Sequence, residues 1–363
     1  MKSIDRSLYI ITGILVISGF FIFTSASLGL LAREGARFSS VAFSQIFFGM
    51  ILGTIFLLIM TKIKYRILKH YALYIFILSI LGTLLVFVPE FGSKLNGAKR
   101  WIYILGFSFQ PAEFLKLGFV LYLAAYLSGA RNKIGEFKHG LIPFILILGI
   151  PSIILLLQPD TGTVLVLVSA GTAMYVTAGG KMRDFLILLL IGVISFSVLV
   201  YKRPYIKDRL ETYIQPGIDL QSSGYQLNQS LIAIGSGGVF GRGFGQSVQK
   251  FNYLPEPIGD SIFAVAAEEF GFVGAFALIF LFLLFSFRGL KIASRAPDYF
   301  SGLLVVGIVI LIISQSFINI GSMLGVFPLT GLPLLFISHG GTAMFFVLGS
   351  VGIILNISKY LKS

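Results

Sequence analysis

Long stretches of the chain carry almost no charge, and they recur at intervals broken by short clusters of Lys, Arg, Gly, Pro and Asn. A hydrocarbon core about 30 Å thick takes roughly 20 helical residues to cross. Ten apolar windows of about that length lie near 8–31, 39–60, 71–88, 112–130, 141–157, 161–178, 184–201, 261–287, 301–325 and 340–357. The fifth and sixth are short and separated by QPDTGT, and PLTGLPLLFISHGG joins the last two, so these boundaries are the least sharply marked. The pattern predicts an all-α polytopic membrane protein of about ten transmembrane helices, one integral domain over residues 1–363. The first window is too long for a secretory signal and lacks a small-residue cleavage site, so it is expected to remain as the first span.

Two non-apolar segments interrupt the series, about 89–111 and 202–260, and both fall on the same side of the membrane. The second lies between spans seven and eight and is far longer than an ordinary connection. Its stretch LNQSLIAIGSGGVF is apolar and its glycines mark tight turns, which predicts short amphipathic or re-entrant pieces resting on the membrane.

Composition agrees: 56% of residues are hydrophobic, 12% are charged and the mean hydropathy is +0.93, whereas globular domains carry about 25% charged residues. There is no cysteine, which excludes disulfides, thiolate metal ligands and a cysteine nucleophile. The net charge of +13 is not a nucleic-acid footprint, because the basic residues sit in short loops rather than on one face. They crowd one side: Lys2 and Arg6, Lys62 to Lys69, Arg131 to Lys138, Lys181 and Arg183, Arg288 to Arg295, Lys359 and Lys362. The short loops opposite hold Arg33, Arg37, Lys94, Lys99 and Arg100, so the positive-inside rule predicts that both termini are cytoplasmic.

Within spans an ionisable group costs about 2.5–3.5 kcal/mol at mid-depth and normally faces a partner or a cavity. Glu113 and Lys116 stand three apart on one helical face, where they could pair; Asp160 ends span six's approach; Glu268 and Glu269 lie inside span eight. Such groups either lock helices together or build a site, and nearby loops add Arg100, Trp101, Glu256 and Asp260. Asp260 before a helix reads as an N-cap. Capping does not explain Glu256, held between Pro255 and Pro257, whose rings restrict the backbone and aim the side chain. A partly desolvated carboxylate at a membrane surface suits a general base or a metal ligand for a lipid-linked substrate. The run GSGGVFGRGFG follows no strand and opens no βαβ unit, so close backbone approach is favoured over a nucleotide site.

The segments NGAKRWI (96–102), FQPAEFLKL (109–117), LLQPDTGT (156–163), GYQLNQSLIAIGSGGVFGRGFG (224–245), YLPEPIGDSIFAVAAEEFGFVG (253–274) and PLTGLPLLFISHGG (328–341) resemble, in order, the motifs of the SEDS family, which includes RodA, FtsW and a sporulation homologue. The resemblance implies a ten-span peptidoglycan glycosyltransferase of the bacterial cytoplasmic membrane. It would polymerise lipid II on the outer face beside a class B penicillin-binding protein and other division or elongation proteins, with no nucleic acid, nucleotide or haem. The family's essential aspartate falls on Asp260 and its preceding glutamate on Glu256; its loop Arg-Trp matches Arg100 and Trp101, its Glu and Lys match Glu113 and Lys116, and its QPD aspartate matches Asp160. The wording IGSGGVFGRGFGQSVQKFNYLPEP is closer to the division-type, FtsW-like branch, which implies a septal location. Two departures stand out: Ile258-Gly259-Asp260-Ser261 where the family has His-Thr-Asp-Phe, and Ser338-His339-Gly340-Gly341 where it has Ser-Tyr-Gly-Gly.

On this reading Asp260 removes the acceptor hydroxyl's proton. The leaving diphosphate is met by cations drawn from Lys116, Arg100, Arg242 and Lys250, or by a divalent ion such as Mg²⁺ or Mn²⁺, with Glu256, Glu113, Asp160 and Ser338 helping to form the site. The rival functions are a flippase for lipid-linked precursors and a non-catalytic scaffold for the transpeptidase.

Overall fold

The computed structural model describes residues 4–33, 35–95, 98–104, 107–215 and 223–361. Lys2, Asn96, Gly97, part of the long loop (216–222) and Lys362 lie outside the described residues. Each apolar window forms a helix. These are α1 (Arg6–Arg33), α2 (Gly35–Phe43) continuing through a π-helical stretch (Ser44–Leu52) into α3 (Gly53–Lys62), α4 (Tyr65–Leu84), α5 (Pro111–Gly129), α6 (Leu141–Leu157), α7 (Thr161–Thr177), α8 (Met182–Lys202), α11 (Ile262–Ser294), α12 (Tyr299–Met323) and α13 (Gly341–Ser358). Eight of the described helical spans are long and apolar enough to cross a membrane; α6 and α7 are apolar but only 17 residues each, about 26 Å of rise.

α12 and α13 form the hub. The most apolar window of α13 is 94% buried, whereas that of α8 is only 6% buried and presents nearly all its side chains outward. Without a hydrophobic drive inside lipid, helices associate through close contact of small residues. Gly49 and Gly53 meet Met344 and Phe345 of α13, and Gly349 and Gly352 of α13 meet Phe56, Leu57 and Met60.

The first outer segment is not helical. It contains an antiparallel three-stranded sheet in the order β1 (Gly92–Leu95), β2 (Ala98–Ile104), β3 (Phe107–Phe109). The alternation in AKRWIYI and the Asn96-Gly97 turn signal are its traces in the sequence. The second outer segment contains α9 (Pro204–Ile214) and α10 (Ser223–Ser236), the short pieces the sequence predicts.

α11 is broken at Gly271, whose φ of 66° and ψ of −165° leave the helical region. The freed backbone groups are taken up by the glycine-rich turn: Arg242 and Gly243 donate to the carbonyls of Glu268 and Glu269, and the amides of Phe272 and Val273 donate to Gly238 and Val239. In a bilayer such groups must find protein partners. Close backbone approach is therefore the use of GSGGVFGRGFG. A Cβ on Gly241, φ +81°, would stand 2.1 Å from the Glu269 carbonyl oxygen.

Gly241→Ala is expected to cost roughly 2–4 kcal/mol through strain and overlap. Gly235→Ala, where a Cβ meets nothing within 4 Å, serves as the neutral control. Thermal unfolding in detergent reads the difference, and equal melting temperatures for the two variants would contradict the contact.

Candidate active site

Leu254 and Ile258 are buried and anchor the loop before α11, and Gly259 and Ser261 both donate their amides to the carbonyl of Glu256, closing a tight turn. Glu256 itself has φ +46°. The next three carbonyls are each held by a different donor. The His339 amide bonds Ile258 O at 2.7 Å, Ser338 Oγ bonds Gly259 O at 2.7 Å, and Asn319 Nδ2 bonds Asp260 O at 2.7 Å. The clamp is itself supported. Asn319 also donates to Leu332 O, Gln315 donates to Pro333 O, and the Gln45 amide bridges Ser338 O and the Gly340 amide across His339, whose ring stacks on Phe23.

Every one of these bonds fixes main chain, so the Asp260 carboxylate is left over; no side chain among the described residues hydrogen-bonds to it. It is not the cap of α11. Ser261 occupies that position without a side-chain cap bond, and its hydroxyl accepts from Gln226 Nε2 at 3.0 Å. A one-residue offset in helix start removes the capping geometry that sequence alone suggests.

The charges that act on Asp260 are Glu256, Arg209 and Arg100. Desolvation by the surrounding loops, then the Glu256 carboxylate, push Asp260 up to about 6, against the pull of the two arginines. The residue is half-buried. Arg209, on α9, is held below its usual value by burial and by Arg100 beside it, and it forms no ion pair within 4 Å among the described residues. A Cβ on Gly331, φ +71°, would sit 3.5 Å from Asp260 Oδ2 and 4.0 Å from Arg209 Nη2. Acid, guanidinium and a side-chain-free position thus surround one small space.

Arg209 escapes sequence reasoning because it lies in a segment readable only as amphipathic. Its trace is the 205, 209, 212 spacing, which puts Tyr205, Arg209 and buried Thr212 on one face of α9. Arg100 on β2 clamps the turn before α7, donating to the carbonyls of Gln158 (3.1 Å) and Pro159 and lying 3.8 Å from Asp160. Asp160 caps α7 by accepting from the Thr163 amide and hydroxyl. Trp101 lies half-buried on β2 opposite Ser93.

Other predicted residues spend their polar groups within the protein. Lys116 pairs with Glu113 at 2.8 Å and donates to Gln315 Oε1 at 2.6 Å, so the expected three-apart pair exists but is closed. Lys250 is fully enclosed, 2.7 Å from Glu269 Oε1 and bonded to Ser25 Oγ and Gly245 O. Glu268 accepts from Ser247 Oγ and the Val248 and Gln249 amides, with Arg242 at 3.5 Å. Ser338 spends its hydroxyl on Gly259 O and the Leu334 amide. Lys250, Lys116 and Ser338 thus each tie together segments distant in sequence. No group of three His, Asp or Glu side chains suited to a metal occurs among the described residues. Mg²⁺ completed by substrate phosphates takes only one or two carboxylates, and Glu256 and Asp260 are the two that would hold it.

A polytopic helical membrane protein with an isolated acid facing two arginines at one end of the bundle is the class that fold and site define. The chain belongs to the cell cycle protein family of FtsW, RodA and SpoVE, whose family model matches residues 5–363. It is 39% identical over 309 residues to stage V sporulation protein E of Bacillus subtilis, covering 85% of this chain and 84% of that one. It is 35% identical to a probable peptidoglycan glycosyltransferase FtsW of Geobacter, covering 86% and 85%. Among solved structures it resembles a chain from a work entitled "Structural coordination of polymerization and crosslinking by a peptidoglycan synthase complex", with TM-score 0.81, 26% identity and coverage of 99% and 98%. It also resembles the rod shape determining protein RodA of Thermus thermophilus, with TM-score 0.71, 26% identity and coverage of 98% and 96%.

Removing Lys250 leaves a buried carboxylate without its partner, so Lys250→Ala is expected to cost about 3–5 kcal/mol of stability. Pairing it with Glu269→Gln should recover much of that loss. Thermal unfolding of the single and double variants measures it; a Lys250→Ala protein as stable as the parent would mean that Lys250 does not have this role.

Proposed function

We propose that this chain is a peptidoglycan glycosyltransferase that joins lipid II units into glycan strands at the outer face of the bacterial cytoplasmic membrane. The observation that carries the proposal is the Asp260 carboxylate, fixed through its backbone, unspent on any neighbouring side chain and faced by Arg209 and Arg100. Asp260 takes the proton of the acceptor sugar's C4 hydroxyl as that oxygen attacks the donor's anomeric carbon. A base of this kind contributes about 10²–10⁴-fold. The bond from that carbon to the undecaprenyl diphosphate breaks, and the negative charge gathering on the diphosphate is met by Arg209, with Arg100 beside it. Preorganised cations in a site with little water are worth more here than in solution. A Mg²⁺ or Mn²⁺ ion held by Glu256 and Asp260 would add neutralisation of the same leaving group.

The outward orientation is supported by the basic loops. Lys62 to Lys69, Arg131 and Arg288 to Arg295 all fall at the end of the bundle remote from Asp260. Partnership with a class B penicillin-binding protein, and septal placement among division proteins, are supported by the FtsW relatives and by the polymerising and crosslinking complex that the fold resembles.

Purified chain in vesicles with lipid II tests the reading: glycan product supports it, lipid movement without polymer points to a flippase, and neither points to a scaffold. Asp260→Asn should abolish polymer formation while leaving the protein folded. Because burial raises the carboxyl above its unfolded value, protonation favours the folded state, so the acid costs stability as pH rises toward and beyond 6. The Asn variant should therefore melt no lower than the parent at neutral pH.

The base works ionised, so polymerisation by the parent should rise through about pH 6 and level off above it. Glu256→Gln removes a negative neighbour and should move that acid limb down; Arg209→Gln removes a cation and should move it up while slowing turnover. Limbs that stay in place in both variants would mean that these groups do not set the acid's proton affinity.

A further inference from the structure

At the end of the bundle remote from Asp260 a second polar site is built that polymerisation does not use. Asn319 touches Asp260, and Tyr299 lies twenty residues earlier on the same helix, about 30 Å away. Here a cavity of about 390 Å³ opens between the starts of α4 and α12, lined by Tyr65, Arg66, Lys69, Ser128, Asp298 and Tyr299, with Phe300 at its wall.

Its charge is unbalanced. The one carboxylate on its lining, Asp298, is spent within the protein: it accepts from Tyr65 Oη at 2.5 Å and from the Ser301 amide at 2.9 Å, completing the cap of α12. That one negative charge, which acts on both Arg66 and Lys69, stands among three cations. Arg66 lies 6.0 Å from the centre of the Tyr65 ring, Lys69 5.6 Å from that of Phe300, and Arg131 4.7 Å from that of Tyr299. Among the described residues no carboxylate comes within 4 Å of any of the three. Rings hold the basic groups in place without neutralising them.

The surroundings select the ligand. On the face of α4 that carries Arg66 the surface beyond the cavity is an apolar stripe, with Leu73, Ile77 and Leu84 all exposed and in line with Arg66 along the helix. A headgroup in the cavity would have its acyl chains against that stripe. We propose that this cavity binds the phosphodiester headgroup of an anionic phospholipid, in the inner leaflet on the orientation given above. Free inorganic phosphate offers the same anion without the chains and would have no use for the stripe.

The test uses the full chain reconstituted in nanodiscs of phosphatidylcholine with and without phosphatidylglycerol, followed by native mass spectrometry of lipids retained on release. Both leaflets are accessible there, so the result does not depend on which face Asp260 occupies. The parent should retain phosphatidylglycerol in preference to phosphatidylcholine, and Arg66→Gln and Lys69→Gln should each weaken that retention about fivefold. Lys133→Gln, which removes an equal charge from an exposed position outside the cavity, should leave it unchanged. Equal retention of the two lipids, an Arg66→Gln, Lys69→Gln double variant that retains phosphatidylglycerol like the parent, or a thermal shift produced by inorganic phosphate alone would each overturn the assignment.

Discussion

The carbonyl oxygens of Ile258, Gly259 and Asp260 are claimed one after another by the His339 amide, the Ser338 hydroxyl and the Asn319 side chain, and the rest of the site depends on this clamp. A loop at the membrane surface cannot leave buried backbone groups unpaired without losing stability. Meeting that need through the main chain alone has a second effect: the acid is positioned while its own oxygens stay free. Gln315 and Asn319, one turn apart on α12, extend the arrangement by holding Pro333 and Leu332, so the hub helix sets the position of both walls. Gln45 fixes the far side by bridging Ser338 and Gly340.

Charge in this protein falls into two populations with opposite energetics. Glu113 with Lys116, and Glu269 with Lys250, are deeply enclosed, and through Gln315 and Ser25 their lysines act as bolts to segments distant in sequence. Separating either pair would strand an ion in low dielectric, which is why such pairs hold geometry even when they add little net stability. Asp260, Arg209 and Glu256 lie at the surface of the bundle and are not closed off in this way. Desolvation first, and the Glu256 charge second, raise the acid's proton affinity toward the physiological range, while Arg209 and Arg100 oppose them. The family's His-Thr-Asp-Phe becomes Ile-Gly-Asp-Ser here; the backbone clamp fixes Asp260 without help from a neighbouring imidazole, and Ile258 serves instead as a buried anchor.

The broken helix α11 joins these populations. Its first half carries Glu268 and Glu269 into the glycine-rich turn, whose amides and carbonyls replace the helical bonds lost at Gly271. The same turn leads directly into the segment that ends on Glu256 and Asp260. A site on a loop is thereby tied to the rigid bundle at both ends.

The sequence by itself determined the crossings, the segregation of the basic loops and the bridging role of the glycines, and its motifs singled out Asp260, because each rests on local length, hydropathy or motif. The Glu113–Lys116 pair was legible too, since three residues along a helix guarantee proximity. It could not assign Arg209, it offered capping as one reading of Asp260 where Ser261 holds that position, and it could not supply the buried partners of Lys250 and Ser338. Those roles turn on which distant segments meet: Lys250 on Glu269 and Ser25, Ser338 on Gly259, Arg209 across from Asp260. Tertiary structure alone decided whether each charge is paired inside the protein or left for a substrate, because a charge's partner is set by distance in space and not by spacing along the chain.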